Sequence, residues 1–153
     1  QEKRSIKVFW TGSSVPTKEL AYRLIAEQLP IELEKNKSKK ASIKVLLKYV
    51  AALYVESESF NSDISIKEVK EQGKKIQIVI LNAGKKHQVL SNLSLLFTDD
   101  RSNKKIIFKA DELKGMSGEN ILADSRRVFS FVKEGKFSLM NPTDKVTINF
   151  DKD

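Results

Sequence analysis

An all-β fold, with antiparallel strands stacked as a sandwich, is what this sequence predicts, and two observations predict it. Short apolar or alternating runs recur along the chain, their starts roughly 10–15 residues apart, as in sandwiches of short strands. Each run is bounded by a cluster of Gly, Asn, Asp or Lys, the residues that punctuate strands with turns. The 153 residues, 40% hydrophobic and 31% charged, suit one globular domain, or one complete domain with part of another.

Taken in order, the predicted strands are Ser5–Thr11, Ser42–Val55, Ile64–Val69, Lys75–Leu81, Val89–Phe97, Lys105–Phe108, Asn120–Ala123, Arg127–Val132, Phe137–Met140 and Lys145–Phe150. Ile64, Ile66 and Val69 alternate with one slip, whereas Lys75–Leu81 alternates cleanly and stops at Asn82-Ala83-Gly84. That stop reads as a hairpin turn in which Gly84 supplies a positive φ. Gly118-Glu119 and Gly135-Lys136 read as further turns. Thr17–Leu29 carries two local readings. An N-cap at Thr17, Leu20, Leu24 and Ile25 at helical spacing, and Pro30 just beyond describe an amphipathic helix. Alternation of Leu20, Tyr22, Leu24 and Ala26 describes a strand instead.

The polar, serine-rich stretch Glu56–Asp63 divides the chain. The C-terminal portion beyond it has the length of one immunoglobulin-sized sandwich. The N-terminal portion ahead of it is too short to be a stable domain alone. The expected organisation is therefore residues 1–56 as the last part of one domain and 57–153 as a complete one.

Composition excludes several chemistries. There is no cysteine, hence no disulfide, thiolate metal site or cysteine nucleophile. The single histidine, His87, has no orienting acid or nucleophile beside it in sequence and reads as solvated or turn-capping. Asp99-Asp100 lacks the ligand spacing of a calcium loop and reads as a turn. Asn82–Lys86 lacks the glycine pattern of a phosphate loop. The expectation is a non-catalytic protein with no metal and no cofactor.

The net charge of +8 comes from lysine clusters between apolar runs, which read as solvated loop tips. Trp10 and Phe9 sit among basic residues, yet no nucleic-acid motif accompanies them, and core packing is the expectation. No apolar stretch is long enough to span a membrane, which implies a soluble chain. Gln1–Arg4 has no signal-type apolar core, so either the protein is cytosolic or a targeting segment lies outside this sequence.

Ile43–Val55 stands out, because this apolar run is about twice the usual strand length of ~5–6 residues. It has two readings: a long core strand, or an edge strand offering backbone hydrogen bonds and alternate apolar side chains to another chain.

Three segments resemble, in order, the periplasmic chaperones of the chaperone–usher pilus pathway, nearest to the branch serving spore-coat-U-type subunits. ELAYRLIAEQLPIE (Glu19–Glu32) resembles a late strand of the N-terminal domain. SIKVLLKYVAALYV (Ser42–Val55) resembles that domain's last strand, and VILNAGKKHQVLSNLSLLF (Val79–Phe97) the Asn-x-Gly-x-x-His turn with its following strand. NILADSRRVFSF (Asn120–Phe131) is a weaker fourth match.

The resemblance implies a complete C-terminal Ig-like domain and the last strands of an N-terminal one, whose first strands have no counterpart in this sequence, either because it is a fragment or because the gene product is truncated. It implies a strand at Thr17–Leu29 with Leu20, Tyr22 and Leu24 inward. It implies periplasmic localisation, a role in pilus assembly and cell wall organization, and delivery of a fimbrial subunit to an outer-membrane usher. The subunit would be held by donor-strand complementation, with Ile43, Val45, Leu47 and Tyr49 as the donated side chains. Family members anchor the subunit's carboxylate with a lysine late in this strand. The matching position here is Ala52, and Lys48 is the nearest basic candidate. The competing readings are a basic β-domain that binds nucleic acid and an Ig-like structural or adhesion module.

Overall fold

A computed structural model describes residues 5–12, 14–29, 45–99 and 102–152 of the chain. Among the described residues ten strands form in order: β1 Leu20–Glu27, β2 Lys48–Val55, β3 Ile64–Gln72, β4 Lys75–Asn82, β5 Gln88–Val89, β6 Ser91–Thr98, β7 Lys105–Lys109, β8 Asn120–Ile121, β9 Ser125–Val132 and β10 Lys145–Asp151. One 3₁₀ turn, Gly135–Leu139, precedes the last strand.

Two three-stranded antiparallel sheets carry the core, β3-β4-β9 and β10-β6-β7, and the short pair β5-β8 closes one end. The chain crosses between the two large sheets from β4 to β6, from β7 to β9 and from β9 to β10. This is an all-β, Ig-like sandwich. Period-2 patterning explains why it closes. Ile76, Ile78 and Ile80 of β4 point inward to meet Leu93, Leu95 and Phe97 of β6, all at 0–1% exposure. Phe108 and Phe129 add aromatic bulk from β7 and β9, and Val146, Ile148 and Phe150 of β10 pack against the same cluster. The slip in the Ile64–Val69 alternation is a β-bulge, a register shift between Ile66 and Glu68.

Several expected elements change. Phe137–Met140 is not a strand. Gly135 turns the chain at φ +53, and the 3₁₀ turn stacks Phe137 on Phe108 and Phe131, with centroids 4.6 and 4.8 Å apart. Ring stacking against the open end of the sandwich replaces strand pairing there. Ser5–Thr11 also forms no strand, since no edge among the described residues pairs with it. Phe9 and Trp10 are 76% and 48% exposed instead of buried in a core.

The Asn82–Lys86 segment is not a hairpin, since β5 pairs with β8 and not with β4. Gly84 lies outside the positive-φ set. Its need is space: a Cβ at Gly84 would collide with the backbone of Asn61 and Asp63. Buried Asn82 fixes this corner. Its Nδ2 donates to the carbonyls of Lys86, Ile121 and Leu122, and its Oδ1 accepts from the amides of Asp63 and Gly84.

A candidate binding surface on the β1–β2 ribbon

Thr17–Leu29 resolves in favour of a strand. β1 pairs antiparallel with β2 from Leu20↔Val55 to Glu27↔Lys48, and the Gln28 amide donates to the Leu47 carbonyl beyond the last pair. The helical propensity of Leu20–Glu27 is overridden because each strand satisfies the other's backbone groups, and β-branched and aromatic residues favour the pleat. β2 spans eight residues, fewer than the apolar run containing it.

Directly opposed residues of an antiparallel pair share a face. One face of the ribbon carries Leu20, Tyr22, Leu24 and Ala26 with Val55, Leu53, Ala51 and Tyr49. The other carries Ala21, Arg23, Ile25 and Glu27 with Tyr54, Ala52, Val50 and Lys48. Both are open to solvent along much of their length. Tyr22, Leu24, Ile25 and Val50 are each 39–56% exposed.

Among the sequence-predicted residues, Val45, Leu47 and Tyr49 are 69%, 50% and 67% exposed, whereas Ile43 lies outside the described residues. Tyr49 shares its face of β2 with Ala51 and Leu53, whereas Val45 and Leu47 precede the strand. Lys48 is not a free cation, because its Nζ pairs with Glu27 across the ribbon. Opposite Ala52 stands Arg23, exposed and without an ion pair among the described residues. Sequence order concealed this, because the cation lies on the neighbouring strand.

Two clefts adjoin the ribbon. Trp10 packs against Tyr22 at 6.4 Å and, with Phe9, Leu53 and Val55, lines an apolar cavity of about 550 Å³. A second cavity of about 500 Å³ separates the Arg23 face from the sandwich, with Ala52, Tyr54, Asn120 and Arg127 on its walls.

At its base the ribbon is fastened to the sandwich. Asn120 Nδ2 donates to the Tyr54 hydroxyl at 2.6 Å, and the Tyr54 ring stacks on His87 with centroids 4.0 Å apart. His87 Nδ1 donates to Glu19 Oε2 at 2.6 Å, and the Glu19 amide donates to the Lys85 carbonyl at 2.9 Å. Lys86 pairs with Glu56 at 3.3 Å and Lys18 with Asp124 at 2.6 Å. Lys18 also holds the Asp124 carboxyl below its usual range, chiefly by hydrogen bonding and then by charge. His87 is thus neither solvated nor a simple turn cap. Its partner Glu19 is far away in sequence, and no local pattern could reveal it.

No helix among the described residues is long and apolar enough to cross a membrane. No protein-family model matches the chain, and no curated protein matches it either. Among solved structures, the chain is similar to the class 5 fimbriae chaperone CfaA, at 17% sequence identity and a TM-score of 0.44, across 90% of this chain and 62% of that one. The chain therefore spans less than two thirds of that chaperone's length.

Proposed function

We propose that this chain acts by binding and not by catalysis, as the strand-lending part of a periplasmic chaperone for fimbrial subunits. The observation that carries the reading is the ribbon. Among the described residues β2 pairs on one edge only, and Val45, Leu47 and Tyr49 present apolar surface beside it. A subunit that lacks a strand would add its own edge to β2, taking main-chain hydrogen bonds for affinity and alternate side chains for register.

The magnitudes suit that role. Burying Ile43, Val45 and Leu47 against a client would gain a gross ~1.5–3 kcal/mol each. Lys48, held by Glu27, keeps a charge beside the free edge and discourages indiscriminate pairing. The client is a fimbrial subunit of the spore-coat-U type, passed on to an outer-membrane usher. This rests on the sequence resemblance of Glu19–Glu32, Ser42–Val55 and Val79–Phe97.

The test is co-expression of the complete protein with a fimbrial subunit in the periplasm, followed by co-purification. Val45→Arg combined with Leu47→Arg is expected to release the subunit while the melting temperature of the free protein stays put, because both side chains are exposed. Undiminished capture by the double variant would falsify the strand-lending role.

A further inference from the structure

We propose that Glu19, Glu56 and His87 bind one divalent transition-metal cation of the zinc type, at the base of the ribbon where it meets the sandwich. Glu19 immediately precedes β1 and Glu56 immediately follows β2, so the terminal Leu20↔Val55 pair brings both carboxylates together. His87 arrives from the segment between β4 and β5. One ligating atom from each of the three lies within 4.8 Å of the others. Bonds of ~2.0–2.2 Å to nitrogen and oxygen need donor atoms somewhat closer than this, a contraction small enough for side chains alone.

An independent observation points to a ligand. The Glu19 side chain is 1% exposed, and its Oε1 has no hydrogen-bond partner although Oε2 is held by His87. An orphaned carboxylate oxygen is costly to bury, and such a group calls for a cation or an ordered water. A cation at this point would satisfy Oε1 and bring Glu56 into the same shell.

Donor chemistry selects the ion. One imidazole nitrogen with two carboxylates suits zinc and its neighbours, whereas calcium takes six to eight oxygens and magnesium keeps mostly water. The Tyr54 stack sets the imidazole plane. A cavity of about 350 Å³ opens beside His87, lined by Phe60, Asn61, Ser62 and Gln88 together with Lys86 and Lys152, and gives the imidazole solvent access. Two adjustments are needed. Lys86 must leave Glu56, a half-exposed pair of small worth, and the proton between His87 and Glu19 must be released. Bound metal would then tie both ends of the ribbon to the sandwich.

The experiment titrates the full chain, without an affinity tag, with Zn²⁺ alone and follows the imidazole by NMR. His87 is the single histidine and cysteine is absent, so the signal reports on this site. The His87 ring resonances are expected to shift and saturate at one Zn²⁺ per chain, and Mg²⁺ at equal concentration is expected to leave them unmoved. Glu19→Gln and Glu56→Gln should each weaken binding about tenfold or more, as loss of a ligand costs at least what loss of its supporting partner does. Glu56 is half-exposed, so its variant stays folded and keeps the test decisive if Glu19→Gln does not fold. A His87 signal unmoved by millimolar Zn²⁺, an equal shift with Mg²⁺, or wild-type affinity in Glu56→Gln would each overturn the site. No client is involved, so this outcome is separate from that of the capture experiment.

Discussion

Arg23 stands directly across from Ala52 in the β1–β2 register, on the face that looks into the cleft between ribbon and sandwich. On the chaperone reading, Ala52 occupies the position where a lysine would be expected to anchor a client's carboxylate. The neighbouring strand supplies a cation in the same register, and a guanidinium can grip a carboxylate through two parallel hydrogen bonds. Lys48, by contrast, lies four residues away along β2 and is already paired with Glu27. Arg23→Ala is therefore expected to reduce subunit capture in the co-purification assay about tenfold or more, within the range for losing one buried charge partner. Lys48→Ala should change capture little. If Lys48→Ala is the damaging variant and Arg23→Ala is neutral, the anchor has been placed on the wrong strand.

Gly84 must remain without a side chain because two backbones meet there. Its neighbours are the main chains of Asn61 and Asp63, which cannot rotate aside as a flexible side chain would. The Lys85 and Lys86 amides also both donate to the Asn61 carbonyl, so separating the segments breaks hydrogen bonds. Gly84→Ala is expected to destabilise the protein by about 1–3 kcal/mol, the usual cost of overpacking. A denaturation midpoint equal to that of the unmodified chain would refute the close-approach argument.

Asn82 carries the same corner from inside. Its two amide hydrogens are shared among three carbonyls, of which Leu122 also accepts from Ser125 Oγ, and its oxygen accepts from two backbone amides, with the side chain fully buried. Replacement by Ala leaves these groups to find new partners or none, at roughly 1–3 kcal/mol for each buried group left unsatisfied. A loss of several kcal/mol in urea unfolding is expected. Asn82→Asp should also be destabilising, because it sets an acceptor against three carbonyls. If Asn82→Asp proves as stable as the parent, the carbonyl cage is not what holds this corner.

The sandwich was legible in the sequence because period-2 alternation is a local signal. The inward set Ile76, Ile78 and Ile80 can be read from β4 alone, and even the bulge near Lys67 shows as a slip. Phe137 failed because its environment is made by Phe108 and Phe131, which local alternation does not report. β1 was ambiguous for the same reason, since a helix and a paired strand accommodate Leu20–Glu27 equally until β2 lies alongside. The apolar residues of the candidate surface were legible. Arg23 and the Glu19–His87 contact were not, because each depends on long-range register, and Gly84 was misassigned because crowding, unlike positive φ, leaves no local trace.

Asp124 offers a direct measure of how the ribbon's base is held. Its carboxyl receives the Lys18 hydrogen bond, the largest cause of its lowered pKa, with the lysine charge adding to it. A carboxylate whose folded-state pKa is depressed contributes stability above its ordinary value of 3.8, and that contribution disappears as pH falls through the lowered one. Carbon-detected NMR of the side-chain carboxyl is expected to show Asp124 titrating below 3.8. In Lys18→Ala its midpoint should rise back toward that value. Glu112 serves as an internal control, because its own lowering comes first from the Lys136 hydrogen bond, within the sandwich. Removal of Lys18 should leave Glu112 where it was. An Asp124 midpoint indifferent to Lys18→Ala would mean that the 2.6 Å contact does not persist in solution, and that the fastening of the ribbon rests on the contacts of Glu19, Tyr54 and Glu56.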